Sequence, residues 1–390
     1  MKDQNKIYKF LSKMKFKFLL FLIFAFATFI IFLRSSTQDN FEYYLEKGYD
    51  FFEENNLEKA IKAYQKAIKL NPDSEEAYYR LGEAYQEQKS YQEAEKYFKK
   101  AIELDPQNGF THLRLAEIYL IREEDEKAAS EFKKAIELLP EEKKLYLGLG
   151  FALKEINLTD EAIHVLKNTL SPEQTSRDAA EANSLLGDAY YKKTDYDEAI
   201  YYYKKAIELD PKGMNNYLSL SSSYIKLGDY DNALKFALEA NKIEPENIDT
   251  LLQITAIYID TKKYDEAIDT LDKLMEIEPS SAKAYYNLGI CFSDKQRYPE
   301  AVKAYRKAIE LSPDFIPSYY NLAKLYNDHQ CFNEAIEVLE KAINIKDDFA
   351  SAYYELARSY FMVGQKEKAK EAMEFYERAV NMDQEHNSKK

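Results

Sequence analysis

The side chains best able to do chemistry here are two cysteines and four histidines, and their placement argues against it. Cys291 falls inside an expected helix and Cys331 in the polar break of the next helix pair. Helical rise and stacking should hold their α-carbons beyond the roughly 7 Å that a disulfide tolerates, so both are expected as free thiols. His112, His164, His329 and His386 lie on different elements and share no metal-ligand spacing with the cysteines. Neither a Ser/His/Asp grouping nor a phosphate-binding glycine loop is present, so no enzyme activity, cofactor, metal or small-molecule substrate is expected. Recognition chemistry remains. One stripe of helix positions, Glu42, Glu53, Glu76, Glu83, Glu87 and Glu117, is acidic, although Arg80 and Arg114 stand beside it, and would attract a basic segment. The same stripe further along reads Tyr286, Ile290, Tyr320, Lys324, Tyr354, Arg358 and Phe361, with Asn287 and Asn321 following the first two tyrosines. Aromatic platforms beside amides can hold an extended peptide by stacking and backbone hydrogen bonds.

The elements that position these residues are written in one 34-residue stretch, Glu75 to Asn108. Tyr78, Leu81, Gly82 and Tyr85 follow the three-and-four spacing of a helix face, and Ala94, Phe98, Ala101 and Ile102 do so after a polar break at Gln86 to Ser90. Asp105-Pro106 ends the second helix, because proline lacks an amide hydrogen and pushes its predecessor out of the helical region. Opposite the first core stripe lie Glu76, Tyr79, Glu83, Gln86 and Glu87.

The unit recurs from Phe41 to about Asp383. The Ala94 column reads Ala60, Ala94, Ala128, Ala162, Ala199, Ala233, Ala267, Ala301, Ala335 and Ala369. The Gly82 column holds only Gly, Ala, Ser or Thr, and these small residues are expected to mark helix crossings, with the Tyr78 and Leu81 columns filling the space around them. Proline closes most units. Ten such turns, with an aromatic before Leu-Gly or Leu-Ala and alanine twelve residues on, resemble the tetratricopeptide repeat family. That resemblance implies an all-α fold, a right-handed α-solenoid whose first helices line a groove for peptides or protein segments. It also assigns the acidic and tyrosine stripes to that groove. The family's carboxylate clamp for chaperone tails is not matched around Asn287 or Asn321.

Departures from the unit point to special places. The step from Ala162 to Ala199 is longer by three residues, making 171–179 a candidate bend or a plain longer loop. Leu274 and Tyr376 replace the late alanine, Asp347 and Asp383 replace proline, and 384–390 is expected to be a disordered tail.

The amino terminus is of another kind. A basic segment, 1–17, with six lysines precedes the uncharged run Phe18 to Leu33, closed by Arg34. Sixteen residues span about 24 Å, so 18–34 is expected to be a short transmembrane anchor with some snorkelling by Lys17 and Arg34. A cleavable secretory signal ending near Ala25-Phe26-Ala27 is the alternative. The lysine asymmetry predicts a cytoplasmic amino terminus, with the repeats on the extracytoplasmic side after a linker at 35–40. Formal charge is -14 although residues 1–40 are basic, so the repeat body repels phosphate backbones and nucleic acid is not an expected partner. The sequence therefore reads as a membrane-anchored protein-interaction scaffold, or else as the recruiting or structural subunit of an envelope enzyme or secretion complex whose catalytic part is a separate chain.

Overall fold

A computed structural model describes residues 40–170, 176–347 and 349–387. The basic segment, the anchor and nearly all of the linker expected at the amino terminus lie outside them. Among the described residues all regular structure is helical, and no helix is long and apolar enough to cross a membrane.

The chain divides into two compact units, the first ending at Lys193 and the second beginning at Thr194. Unit 1 contains α1 (residues 40–53), α2 (Leu57–Leu70), α3 (Glu75–Glu87), α4 (Tyr91–Leu104), α5 (Gly109–Ile121), α6 (Asp125–Leu138), α7 (Lys143–Glu155), α8 (Thr159–Thr169) and α9 (Ser176–Lys192). Unit 2 contains α10 (Tyr196–Leu209), α11 (Met214–Lys226), α12 (Tyr230–Ile243), α13 (Ile248–Asp260), α14 (Tyr264–Ile277), α15 (Ala282–Asp294), α16 (Tyr298–Leu311), α17 (Ile316–Asp328), α18 (Phe332–Ile345), α19 (Ala350–Met362) and α20 (Lys366–Asn387). The first helix of each repeat is odd-numbered and the second even-numbered. Within each unit, every helix packs on the next in sequence wherever both are fully described, and each first helix from α3 onward also touches the first helix of the following repeat. Within each unit the first helices from α3 onward therefore form a continuous layer, and the second helices buttress it.

The small-residue columns behave as the crossing points predicted for them. The alanine column is fully buried from Ala60 to Ala335. A Cβ added at Gly48, Gly82, Gly150 or Gly289 would lie 2.4, 2.7, 2.4 or 2.4 Å from Tyr64, Phe98, Leu166 or Tyr305, the large residue sixteen positions later. Where the first helix carries Ser221 instead, the second carries Ala237, and the Ser221 hydroxyl donates to the Ala233 carbonyl at 2.8 Å. At these five crossings a missing or small side chain on one helix is matched to the size of the residue opposite, as a close-packed interior requires.

The tyrosine column lies around the crossings, as expected, but less deeply than a core stripe. Tyr78 and Tyr85 are only half-buried, and the face of α3 that seals the core is Ala77, Leu81, Gly82 and Ala84. The crossing is already filled by Phe98 against Gly82, so the two rings lie at its edge, where Tyr97 stacks against both, at 6.4 and 5.4 Å between centroids. Their hydroxyls have a recurring task. Tyr146, Tyr217 and Tyr319 donate to the carbonyls of Pro140, Pro211 and Pro313, tying each first helix to the turn that precedes it. In the third repeat His112 stands in this column, and its Nε2 takes the same bond to the Pro106 carbonyl at 3.3 Å.

Each hairpin turns on a residue with left-handed backbone. Asn55, Lys89, Glu123, Asn157, Thr194, Lys262, Gln296 and Gln330 have φ between 56° and 65°, and Gly228 and Gly364 occupy the same place. The next amide bonds back five residues, as Ser90 N–H does to the Tyr85 carbonyl at 2.8 Å, satisfying the end of the first helix. Side-chain oxygens of Asn56, Ser74, Asn108, Asp195, Asp229 and Asn247 cap the helices that follow.

At the long step, α8 stops at Thr169 after 11 residues, and α9 begins at Ser176 and runs for 17, against 13 for the other first helices of unit 1 from α3 on. Part of the insertion is therefore an added helical turn. At the carboxy end α20 continues to Asn387, past the repeat boundary expected at Asp383.

Candidate peptide-binding faces

The tyrosine stripe lies on α15, α17 and α19 of unit 2, which touch in sequence. Each ring is braced from behind. Tyr286 meets Phe315 edge-on at 5.2 Å, Tyr320 meets Phe349 in the same way at 5.5 Å, and Tyr354 leans on Tyr376 at 5.6 Å. Phe315 and Phe349 are the residues just before α17 and α19, so each loop supplies the strut for the tyrosine one repeat earlier. Exposure rises along the stripe, from half-buried Tyr286 and Tyr320 to Tyr354 at 49% and Phe361 at 63%. Ile290 is half-buried against the core, whereas Lys324 is exposed and makes no ion pair among the described residues.

The amides do not act as one set. Asn321 is spent within the scaffold: its Nδ2 donates to the Tyr286 hydroxyl at 3.1 Å. Burial pushes the Tyr286 phenol upward, and the Asn321 bond draws it partly back. Asn287 is half-buried one repeat earlier. Arg358 is also engaged, with Glu355 at 3.3 Å and Asp328 at 3.6 Å. Glu355 is 6% exposed and accepts from Asn327 Nδ2 at 2.9 Å, while the Ser359 hydroxyl donates to Asn327 Oδ1 at 2.7 Å. This buried network under the stripe was missed from sequence. Its signal was polar residues at Glu355 and Ser359 among the otherwise apolar buried positions of α19.

The acidic stripe is not an unpaired anionic surface. Glu83 bonds Arg80 at 3.0 Å and reaches Arg114 at 3.5 Å, and Arg114 in turn holds Glu117 at 3.0 Å. Glu117 also accepts from Gln86 at 3.5 Å. Charges alternate from α3 to α5, and the arginines set beside the stripe neutralise its centre. Glu42, Glu76 and Glu87 lie at the surface. Further along unit 1 this face opens into a cleft of about 660 Å³ in which Lys144 and Arg177 join Glu117, Phe110 and Tyr79. Its electrostatics are mixed.

Both cysteines are free thiols. Burial pushes the Cys291 thiol up to about 12, which leaves it unreactive at neutral pH. Among the described residues no group of three or more His, Cys, Asp or Glu could hold a metal ion. His112 and Glu131 do meet, at 2.6 Å, in a buried pair between α5 and α6. Burial pushes the Glu131 carboxyl up, but the bonds from His112 and Lys134 more than offset it and leave it below the usual carboxylate range.

Profiles described as TPR repeat match residues 48–89, 256–295 and 328–364, and others described as tetratricopeptide repeat match 75–108, 282–315, 304–337 and 350–386. A profile described as anaphase-promoting complex, cyclosome, subunit 3 matches 155–239 and 192–274. No curated protein matches the chain. Among solved structures, a MamA crystal structure is similar at 28% identity over 43% of this chain and 97% of its own, with a TM-score of 0.39. MamA from Desulfovibrio magneticus RS-1 is similar at 20% identity over 44% and 97%, with a TM-score of 0.41. Yeast Tom70 is similar at 19% identity over 88% and 92%, with a TM-score of 0.46.

Proposed function

We propose that this chain, a tandem array of tetratricopeptide repeats, is a scaffold that holds a peptide or protein segment on the unit 2 face formed by α15, α17 and α19, with no chemistry of its own. The supporting observation is the graded aromatic stripe itself. Three braced tyrosines stand at 34-residue steps, the outermost is exposed, and Lys324 lies among them without an internal partner. Bracing lowers the entropy that binding must overcome, because the rings are already ordered. Tyrosine supplies apolar area together with a hydroxyl that can bond a passing backbone. The partner segment runs across these helices and carries an acidic group toward Lys324.

A photo-reactive benzoylphenylalanine at Lys324 tests the face, with the same group at exposed Lys341 on α18 as control. A discrete adduct from position 324 alone supports the reading, and equal adducts from both positions sink it. We further propose that residues 18–34 tether the array to a membrane with the repeats outside. Support for the tether is the uncharged run Phe18 to Leu33 behind six lysines. Extraction of the chain by carbonate without detergent would count against it.

A further inference from the structure

The second helix of a repeat can place a large side chain between two aromatics of the first. On α4 Tyr97 fills this place between Tyr78 and Tyr85, and on α12 Phe236 stacks on Tyr224 at 5.6 Å with the rings 2° from parallel. On α16 the same position is Ala304, between Tyr285 and Phe292. Alanine recurs there on α2 and α20, but other side chains cover the gap. Lys66 and Lys59 lie over Tyr44 and Phe51, and Phe375 stacks on Tyr353 at 5.2 Å. In the α15–α16 pair Arg297 covers Phe292 from one side, and Tyr285 makes no ring contact among the described residues. The result is a cleft of about 920 Å³ lined by Tyr285, Leu288, Phe292, Val302 and Ala304.

Its rim is cationic in balance. Glu300 is paired with Arg297 and Glu310 with Lys307, whereas Lys303 and Arg306 make no ion pair among the described residues. We infer that this cleft receives an aromatic side chain of a partner protein, carried between acidic residues, which enters the space that Tyr97 and Phe236 fill in their own repeats. The chemistry is complementary on both counts: an apolar slot between two rings takes a third ring, and Lys303, with Arg306 held over the Tyr326 ring beside it, takes the flanking carboxylates. The site is separate from the Tyr286 stripe and does not depend on it.

The test uses the full chain and a fluorescein-labelled Asp-Glu-Phe-Glu-Asp peptide, read by anisotropy. Saturable binding is expected, weakened about 10-fold or more when the peptide's Phe is replaced by Ala, a loss in keeping with one buried ring. Ala304→Phe should fill the slot from within and cause a similar loss, and Lys303→Glu should weaken binding and remove part of its salt dependence. If Ala304→Phe lowers the thermal midpoint, the Ala peptide and Lys303→Glu still decide the matter. Absence of saturable binding, or equal affinity for the Phe and Ala peptides, overturns the inference. So does a concentration-dependent dimer that Ala304→Phe abolishes while the peptide fails to bind, since the occupant is then a second copy of the chain.

Discussion

Gly82 has no side chain because Phe98 needs the space: the carbon it lacks would sit 2.7 Å from that ring, which is fully buried. Gly82→Ala is therefore expected to cost about 1–3 kcal/mol, by forcing a buried ring from its rotamer, and differential scanning calorimetry would register the loss. The left-handed turn residues show the reverse case. Thr194 is β-branched and sits at φ 61°, where such residues are strained, while Gly228 and Gly364 occupy the same place in other repeats. Thr194→Gly should stabilise the chain by about 1 kcal/mol, after the entropy glycine loses on folding is set against the relieved strain. A chemical denaturation midpoint that falls would contradict this. The small-residue columns were legible because sterics act directly on residue type. The turn column was not, since eight of its ten residues are not glycine and the constraint acts on backbone angles that many types can meet at some expense.

Between elements, the seam of each helix pair is sealed by side chains that reach across it, and the α5–α6 pair does so with charge. Tyr97 is replaced at this position by Glu131, and Tyr78 by His112, so a ring stack becomes a 2.6 Å bond. The Glu131 carboxyl is held below its ordinary value of 4.5 in the folded chain. The unfolded chain thus takes up the proton first as pH falls, so this carboxylate stabilises the fold fully above about pH 4.5 and progressively less as pH drops through the folded value. Glu131→Gln should flatten that part of the acid limb in thermal melts between pH 6 and pH 3. An unchanged limb would show that the pair contributes nothing to it. Periodicity identified the helices and their order, because a repeated apolar stripe has few other solutions. It put the tyrosines around the crossings, where they pack, but not their depth, since spacing gives the face of a helix and not how far a large ring is buried.

On the scale of the whole molecule, charge read along the sequence misled where neighbours come from another repeat. Glu83 and Glu117 belong to an alternating ladder with Arg80 and Arg114, built from two pairs three residues apart and joined by the Glu83–Arg114 contact about one repeat apart. In the same way Asn321 belongs to Tyr286 and Arg358 to Asp328 one repeat earlier, with Glu355 on its own helix. On the tyrosine stripe Lys324 makes no ion pair among the described residues and Tyr354 and Phe361 are exposed, which supports the proposal that the partner binds unit 2 rather than the acidic stripe. The most direct test takes the partner segment captured at position 324 and titrates it against the wild-type chain and the double variant Tyr320→Ala, Tyr354→Ala, with melting temperature followed in parallel. Loss of two stacking platforms predicts at least about a tenfold weaker Kd in a variant that still folds, with a lower melting temperature because Tyr320 is half-buried against Phe349. An unchanged Kd, with the variant still folded, would contradict the assignment of the partner to this face.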